Sequence, residues 1–308
     1  MKRHHAIIVF LIGAFFFGLN PLFIKLGYAA GWTLGEINVI QAIIALIVLW
    51  TIGIIALRRH PQAIKKLNVK TVLSLVIAGS FTGLTSVLYY GSMQYLPASL
   101  AVVLLFQFVW IGVLFEWIFS RKKPNKRTML SVILTLVGVL FAADAFNGGL
   151  TEITLLGFIL GIGAAFSYSA FVIFSGRVAV EVPATIRTPI MITGAALLIF
   201  LIFPPHVTLN VNAVSSGSLW FYAGCLALCG LILTPLMFAI STPHISAGLA
   251  TILGAIELPV SVIVAYIGLG EYIAPSRWFG VLLILLAITI GEIKVIWHMI
   301  IKPKKSVN

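Results

Sequence analysis

The feature that most constrains this chain is a series of ten apolar stretches, near residues 6–28, 34–57, 71–93, 97–119, 127–145, 153–175, 184–203, 218–240, 246–269 and 276–298. A helix needs about 20 apolar residues to cross a hydrocarbon layer about 30 Å thick, and each stretch is close to that length. Lipid offers the backbone no hydrogen-bond partners, so a spanning segment must satisfy its amides internally. The stretches are far longer than the strands of a membrane barrel, which leaves helices. Composition agrees: 61% of the 308 residues are hydrophobic and 9% are charged, against about 25% charged in a soluble domain. There is too little polar surface to coat a water-soluble globule. The expected fold is an all-α membrane protein of ten transmembrane helices, with the lipid bilayer as a partner.

The charges test that count. With the N-terminus in the cytoplasm, the inner segments hold Lys2 and Arg3, then Arg58, Arg59, Lys65, Lys66 and Lys70, then Arg121, Lys122, Lys123, Lys126 and Arg127. Arg177, Arg187, Lys294, Lys302, Lys304 and Lys305 follow, so 18 of the 20 Lys and Arg lie inside and Lys25 and Arg277 do not. Glu36, Asp144, Glu152 and Glu271 fall outside. This is the positive-inside bias, and a wrong count would scramble it. The expectation is a multi-pass plasma-membrane protein of the bacterial inner-membrane kind, both termini cytoplasmic. The same distribution argues against nucleic acid as a partner: the net charge of +12 sits between spans rather than in a basic domain. Lys2 and Arg3 ahead of an apolar stretch resemble a signal peptide, but the stretch runs past Asn20 and Pro21 without a cleavage site, so an uncleaved first span is expected. Cys225 and Cys229 lie one helical turn apart, a spacing that seldom suits a disulfide, and read as packing residues. The longest links, 58–70 and 204–217, leave no room for an extramembrane domain.

The chain also contains itself twice. At an offset of 149 residues Ala98, Leu100, Ala101 and Leu104 meet Ala247, Leu249, Ala250 and Leu253, Val113 meets Val262, and Val132, Leu134 and Leu136 meet Val281, Leu283 and Leu285. Two halves, 1–149 and 150–308, each of five spans, are expected. Five is odd, so the second half must cross the membrane inverted relative to the first. Inverted repeats are typical of secondary transporters, with the substrate near the midplane between the halves.

These features, with "GLNPLFIK" in the first span and "ELPVSVIVAYIGLGEYIAPSRWFGVLLILLAITI" in the last two, resemble the EamA-type branch of the drug/metabolite transporter superfamily. The closing segment is the most specific part: Glu257 with Pro259, Gly270 with Glu271, Pro275 and Gly280 stand where that family has its acid–proline pair, Gly-Glu turn, proline and final Gly-led helix. The acid and proline are separated here by Leu258, a departure from the family's adjacent pair. The resemblance implies ten helices around a central cavity lined by spans 1, 3, 4, 6, 8 and 9. It implies transport of small metabolites by alternating access, commonly outward, and no particular substrate.

Glu257 is the residue hardest to explain as packing. A carboxylate at the centre of a spanning helix costs about 2.5–3.5 kcal/mol on insertion scales, unless it faces an aqueous cavity or carries a proton. Two readings stand: Glu257 binds a cationic substrate or trades a proton against it, or it is protonated and bridges to a neighbouring helix. Pro259 removes a backbone donor and tends to kink the helix, which suits a binding site and also ordinary packing. Gln107 stands opposite Ile256 in the repeat, and Trp110 lies one turn on; they read as cavity wall or as an interhelical bridge and a lipid-facing ring. Asn20 and Pro21 interrupt the first span, and the resemblance favours a role for Asn20 and Lys25. Lys25 can instead snorkel to the headgroups; pointing inward, it would meet Glu257 or a substrate carboxylate. Tyr89, Tyr90 and Tyr168 are candidate cavity aromatics, or packing. Arg187 is expected to snorkel inward from the start of span 7. Gly157, Gly161, Ala165 and Ser169 form a small-residue stripe for close helix contact.

No Walker-type loop, GxSxG or HExxH occurs, and no metal or cofactor is expected. The leading expectation is an exporter of small metabolites or amphipathic compounds, with protons as the candidate coupling species. An exchanger or importer of the same architecture is the alternative. An intramembrane enzyme would need several acids or histidines at one depth, and a receptor or scaffold a soluble partner-binding domain; neither is seen. Direction, substrate and oligomeric state are not written in the sequence.

Overall fold

The computed structural model describes residues 1, 3–121, 123–142, 154–272 and 274–301. The sidedness expected of Lys2, Lys122, Asp144, Glu152, Lys302, Lys304 and Lys305 falls outside these residues. The first half contains α1 (Arg3–Phe17), α2 (Asn20–Ala29), α3 (Leu34–Arg59), α4 (Val69–Ser92), α5 (Ala98–Leu105), α6 (Phe108–Ser120) and α7 (Lys126–Ala142). The second contains α8 (Leu155–Ser175), α9 (Ala184–Ile202), the short α10 (Pro205–Thr208) and α11 (Val211–Ser215), then α12 (Gly217–Leu226), a π-helical turn over Ala227–Leu233, and α13 (Thr234–Ser241). It closes with α14 (Ala247–Gly254), α15 (Glu257–Leu269) and α16 (Pro275–Ile301).

Seven helical stretches are long and apolar enough to cross a membrane: Arg3–Ala29, Leu34–Arg59, Val69–Ser92, Ala98–Phe119, Leu155–Ser175, Ala184–Ile202 and Gly217–His244. Their outer faces carry large apolar side chains such as Ile8, Ile12 and Phe15 on α1 and Leu197 and Leu201 on α9. Lipid, not water, suits such a surface. The protein is thus a multi-pass membrane protein. The other apolar runs are helical as well, as α7, the α14–α15 pair and α16.

Three of the apolar runs are broken, and two of the breaks have a proline beside them. Pro21 lies in the first turn of α2 and Pro259 in the first turn of α15, and neither has an N–H to continue the ladder. The backbone tightens instead: Leu22 N–H donates to Leu19 O at 3.2 Å and Leu258 N–H to Ala255 O at 3.3 Å. The break between α5 and α6 has no proline, yet Gln107 and Val109 make the same short-range bonds, to Leu104 O and Phe106 O, at 3.1 Å each. The widened turn over Ala227–Leu233 precedes Pro235, and the Thr234 hydroxyl lies within donating distance of two carbonyls, Cys229 O at 2.6 Å and, across the helix contact, Gly13 O at 2.8 Å.

The elements recur at the offset seen in the sequence. α5 and α14 cover 98–105 and 247–254, α6 and α15 cover 108–120 and 257–269, and α7 and α16 begin at 126 and 275. Each of these pairs is 149 residues apart, as are the left-handed residues that stop α6 and α15, Arg121 (φ 52°) and Gly270 (φ 65°).

α4 and α9 meet along a close helix contact. A Cβ on Gly79 of α4 would collide with the carbonyl of Met191 in α9, one on Gly194 of α9 with that of Val76 in α4, and one on Gly83 would lie 2.5 Å from Ala195 O. Small residues let backbones approach this closely in a membrane. Gly157 and Gly161 of α8 likewise seat Leu96 and Leu104, and the Ser169 hydroxyl donates to Phe108 O at 2.9 Å, so the small-residue stripe packs α8 onto the other half.

Arg187 corrects an expectation. It does not snorkel: it is 1% exposed, and its guanidinium donates to Ser175 O (3.1 Å), Val178 O (2.9 Å) and Ala239 O. These carbonyls lie in the last turns of α8 and α13 and just beyond α8, where a helix leaves acceptors without partners. Those carbonyls hold the two terminal nitrogens of the buried guanidinium, while Nε has no protein partner.

Candidate substrate site

The breaks converge on one another. The Ser261 hydroxyl of α15 donates to Gly18 O between α1 and α2 at 2.9 Å, and a Cβ on Gly18 would sit 2.9 Å from Glu257 O. Glycine is what lets the two interrupted spans touch. Glu257, first residue of α15, is 1% exposed. Its Oε1 accepts from the Tyr168 hydroxyl of α8, while Oε2 has no protein partner. The Tyr168 ring lies stacked on Phe17 at 4.9 Å and edge-on to Phe108 at 4.9 Å, and Phe17 stacks on Tyr89 at 6.0 Å.

Beside this aromatic stack is a cavity of about 10 Å³, lined by Phe17 from α1, Thr82, Thr85, Ser86 and Tyr90 from α4, Tyr168 and Phe171 from α8, and Gly230, Leu231 and Thr234 from span 8. That volume holds about one water. Asn20 is wholly buried, and neither its Oδ1 nor its Nδ2 has a protein partner. A Cβ on Gly230 would lie 3.1 Å from Asn20 Nδ2 and 3.1 Å from the Tyr90 hydroxyl, which places all three residues together at the π-helical turn. Such turns recur at functional sites. Thr82 Oγ1 is a further buried atom without a partner. Behind the wall, Asn38, Gln41 and Ser86 bond one another: Ser86 Oγ to Asn38 Oδ1 at 2.7 Å, and Gln41 Nε2 to both, at 2.6 and 3.0 Å. This network holds α3 to α4 and fixes the cavity wall.

The expected site residues divide. Tyr90 and Tyr168 line the cavity, Tyr89 stacks on its wall, Asn20 faces Gly230, and Glu257 is reached through Tyr168. Gln107 and Trp110 are not among the residues that line this cavity. Half-buried, they bond each other, Trp110 Nε1 donating to Gln107 Oε1 at 2.9 Å, and the Gln107 amide folds back onto Val103 O at 3.4 Å. The break turns Phe108 inward in their place. Lys25 neither snorkels nor pairs with Glu257: its ammonium donates to Met93 O and Leu96 O, 2.8 Å each, just past the end of α4. Phe17, Phe171, Gly230 and the hydroxyls at 82, 85, 86 and 234 were not legible as site residues one by one. The spacing of Thr82, Thr85 and Ser86 on one helical face, and the Thr234-Pro235 step that echoes Asn20-Pro21, are the signals that mark them.

Two carbonyl clasps flank the cavity. At one end Tyr28 donates to Tyr90 O at 2.9 Å, beside the Lys25 bonds, tying α2 to α4. At the other, Arg187 ties Ser175 O and Val178 O to Ala239 O. Tyr90 and Ala239 are 149 residues apart, so the same carbonyl position in each half is held by a side chain from a neighbouring helix. Gly230→Ala is expected to slow flux roughly tenfold while moving the thermal midpoint by no more than about 5 °C, because one methyl closes the space between Asn20 and Tyr90 without touching the helix seam; flux assay and thermal unfolding on the same preparation check it.

Comparison with known proteins agrees with this architecture. The chain is 23% identical to "Uncharacterized transporter sll1319" of Synechocystis sp. over 308 residues, covering 92% of each chain. It is 23% identical to "Uncharacterized transporter YwfM" of Bacillus subtilis over 177 residues, 57% of each. A solved crystal structure superposes with a TM-score of 0.72 at 14% identity, covering 98% of this chain and 100% of that one, a likeness of fold alone. A family model described as the EamA-like transporter family matches residues 4–143 and 155–290, and the chain therefore belongs to the EamA-like transporter family.

Proposed function

We propose that the protein is a secondary transporter of the plasma membrane that exports a small metabolite or amphipathic compound by alternating access, with Glu257 exchanging a proton for the substrate. The observation that carries this reading is a buried carboxylate at the break between α14 and α15, one oxygen held by the cavity-lining Tyr168 and the other without a protein partner.

Ten crossings follow if α7, the α14–α15 pair and α16 cross as the seven longer stretches do. Two inverted five-span halves are supported by the 149-residue recurrence of helix bounds and by a pair of contacts that exchange under it. The Ser131 hydroxyl of α7 donates to Ala287 O of α16 at 2.7 Å, and Gly138 of α7 meets Gly280 O of α16 within 2.8 Å of a Cβ. Ser131 with Ala287 maps onto Gly280 with Gly138 when the halves are swapped, as a pseudo-two-fold axis requires. An odd number of crossings per half puts that axis in the membrane plane. With the basic links inside, Arg187 closes the cytoplasmic end and Lys25 with Tyr28 the outer end. Releasing one clasp at a time would open the cavity to one face.

The test is flux into vesicles holding the reconstituted full chain and a pH-sensitive dye. With an acid interior and solute pools added outside, protons leave as substrate enters. Solute movement that ignores the pH gradient would remove proton coupling and favour exchange.

A further inference from the structure

The charge inventory around the site narrows the substrate. Among the described residues whose burial is given, three Lys or Arg side chains are buried or half-buried, and each is engaged. Lys25 is held by Met93 O and Leu96 O, Arg187 by Ser175 O, Val178 O and Ala239 O, and Arg277 donates to Ser99 Oγ at 3.0 Å. None faces the cavity lining. Four buried atoms without a protein partner lie at or around the cavity: Thr82 Oγ1 in its lining, Asn20 Oδ1 and Nδ2 beside the lining residue Gly230, and Glu257 Oε2 on the residue bonded by the lining Tyr168; three of the four accept hydrogen bonds. An ammonium has three N–H donors and no acceptor, and it gains further from the faces of aromatic rings. Phe17, Tyr90, Tyr168 and Phe171 supply those rings. A carboxylate or phosphate would find the Glu257 carboxyl and, among the described residues of the cavity lining, no cation, which is costly for a buried anion.

We infer that the site formed by Glu257, Asn20, Thr82 and the aromatic wall of Phe17, Tyr90 and Tyr168 takes the protonated amine of a small organic cation with an aromatic or apolar body. The inference rests on the transport reading and names its substrate class. The carboxylate fixes the charge, the unbound amide and hydroxyl take the remaining N–H groups, and the rings cover the body.

The experiment compares two probes of one shape and opposite charge, phenethylamine and 3-phenylpropionate, on the detergent-purified full chain by thermal stabilisation, since a ligand of the folded state raises its midpoint. Phenethylamine is expected to raise the midpoint and 3-phenylpropionate to leave it unchanged. Glu257→Gln is expected to weaken the amine by roughly 10- to 100-fold, the loss on removing a charged acceptor. Glu257→Asp keeps the charge and the preference, and Asn20→Leu weakens the amine without reversing it. Stabilisation by the carboxylate, no shift across a series of arylalkylamines, or an amine shift that survives Glu257→Gln in a folded variant would each overturn the inference. Flux separates it from the transport reading. An amine that binds at Glu257 but is not carried across vesicles leaves the substrate class standing and removes transport; an anion that is carried does the reverse.

Discussion

Glu257→Gln is expected to abolish pH-driven flux, by roughly 100-fold or more, while leaving the fold intact or more stable. Glutamine has the shape of glutamate, and its carbonyl can accept from Tyr168 as Oε1 does now. What it loses is the capacity to carry a charge or a proton at the position of Oε2, which has no protein partner. Glutamine stays neutral whether or not the site is open to water, so the variant carries none of the desolvation cost that an ionised carboxylate would bear there, and thermal unfolding shifts upward or not at all. Flux and unfolding measured together separate a transport role from a structural one. A merely structural Glu257 would lose stability on substitution and keep pH-driven flux whenever the variant folds.

Gly79→Leu should have the largest effect on stability, a loss of more than about 3 kcal/mol, with Gly194→Leu close behind. At both positions a Cβ meets a backbone carbonyl of the facing helix, not the end of a flexible side chain. The only relief is for α4 and α9 to separate, which opens the seam between the halves. Overpacking of a well-packed core costs about 1–3 kcal/mol where side chains can yield, and here they cannot. Denaturant unfolding in detergent checks it; Gly217→Ala, where an added Cβ meets nothing within 4 Å, serves as the neutral control.

What the sequence revealed follows from which physics leaves a trace in residue types. Lipid forces long apolar runs, so helix positions were readable to within a few residues. Glu257 stood out because a lone acid in such a run is costly. The breaks at Asn20-Pro21 and before Pro259 were readable because proline removes a donor. The break at Phe106-Gln107 was not, since no proline marks it; only the offset from span 9 points to it. Arg187 and Lys25 were misplaced for a common reason. Both end on backbone carbonyls, and every residue has a carbonyl, so no residue type announces the acceptor. Gln107 was the natural candidate for the cavity because it is polar, but the break rotates Phe108 inward to the Tyr168 ring. The sequence names polar residues and leaves unsaid which way a broken helix turns them.

The central claim is that one pocket opens in turn to the two faces of the membrane. It is tested most directly by labelling a cysteine at Thr82, in a chain with Cys225 and Cys229 replaced, using a membrane-impermeant thiol reagent applied to one face at a time. Labelling is predicted from both faces. Arg187→Met should accelerate it from the cytoplasmic face, and Lys25→Met with Tyr28→Phe from the opposite face. Labelling from a single face in every variant, or both clasp variants shifting it toward the same face, would contradict the account.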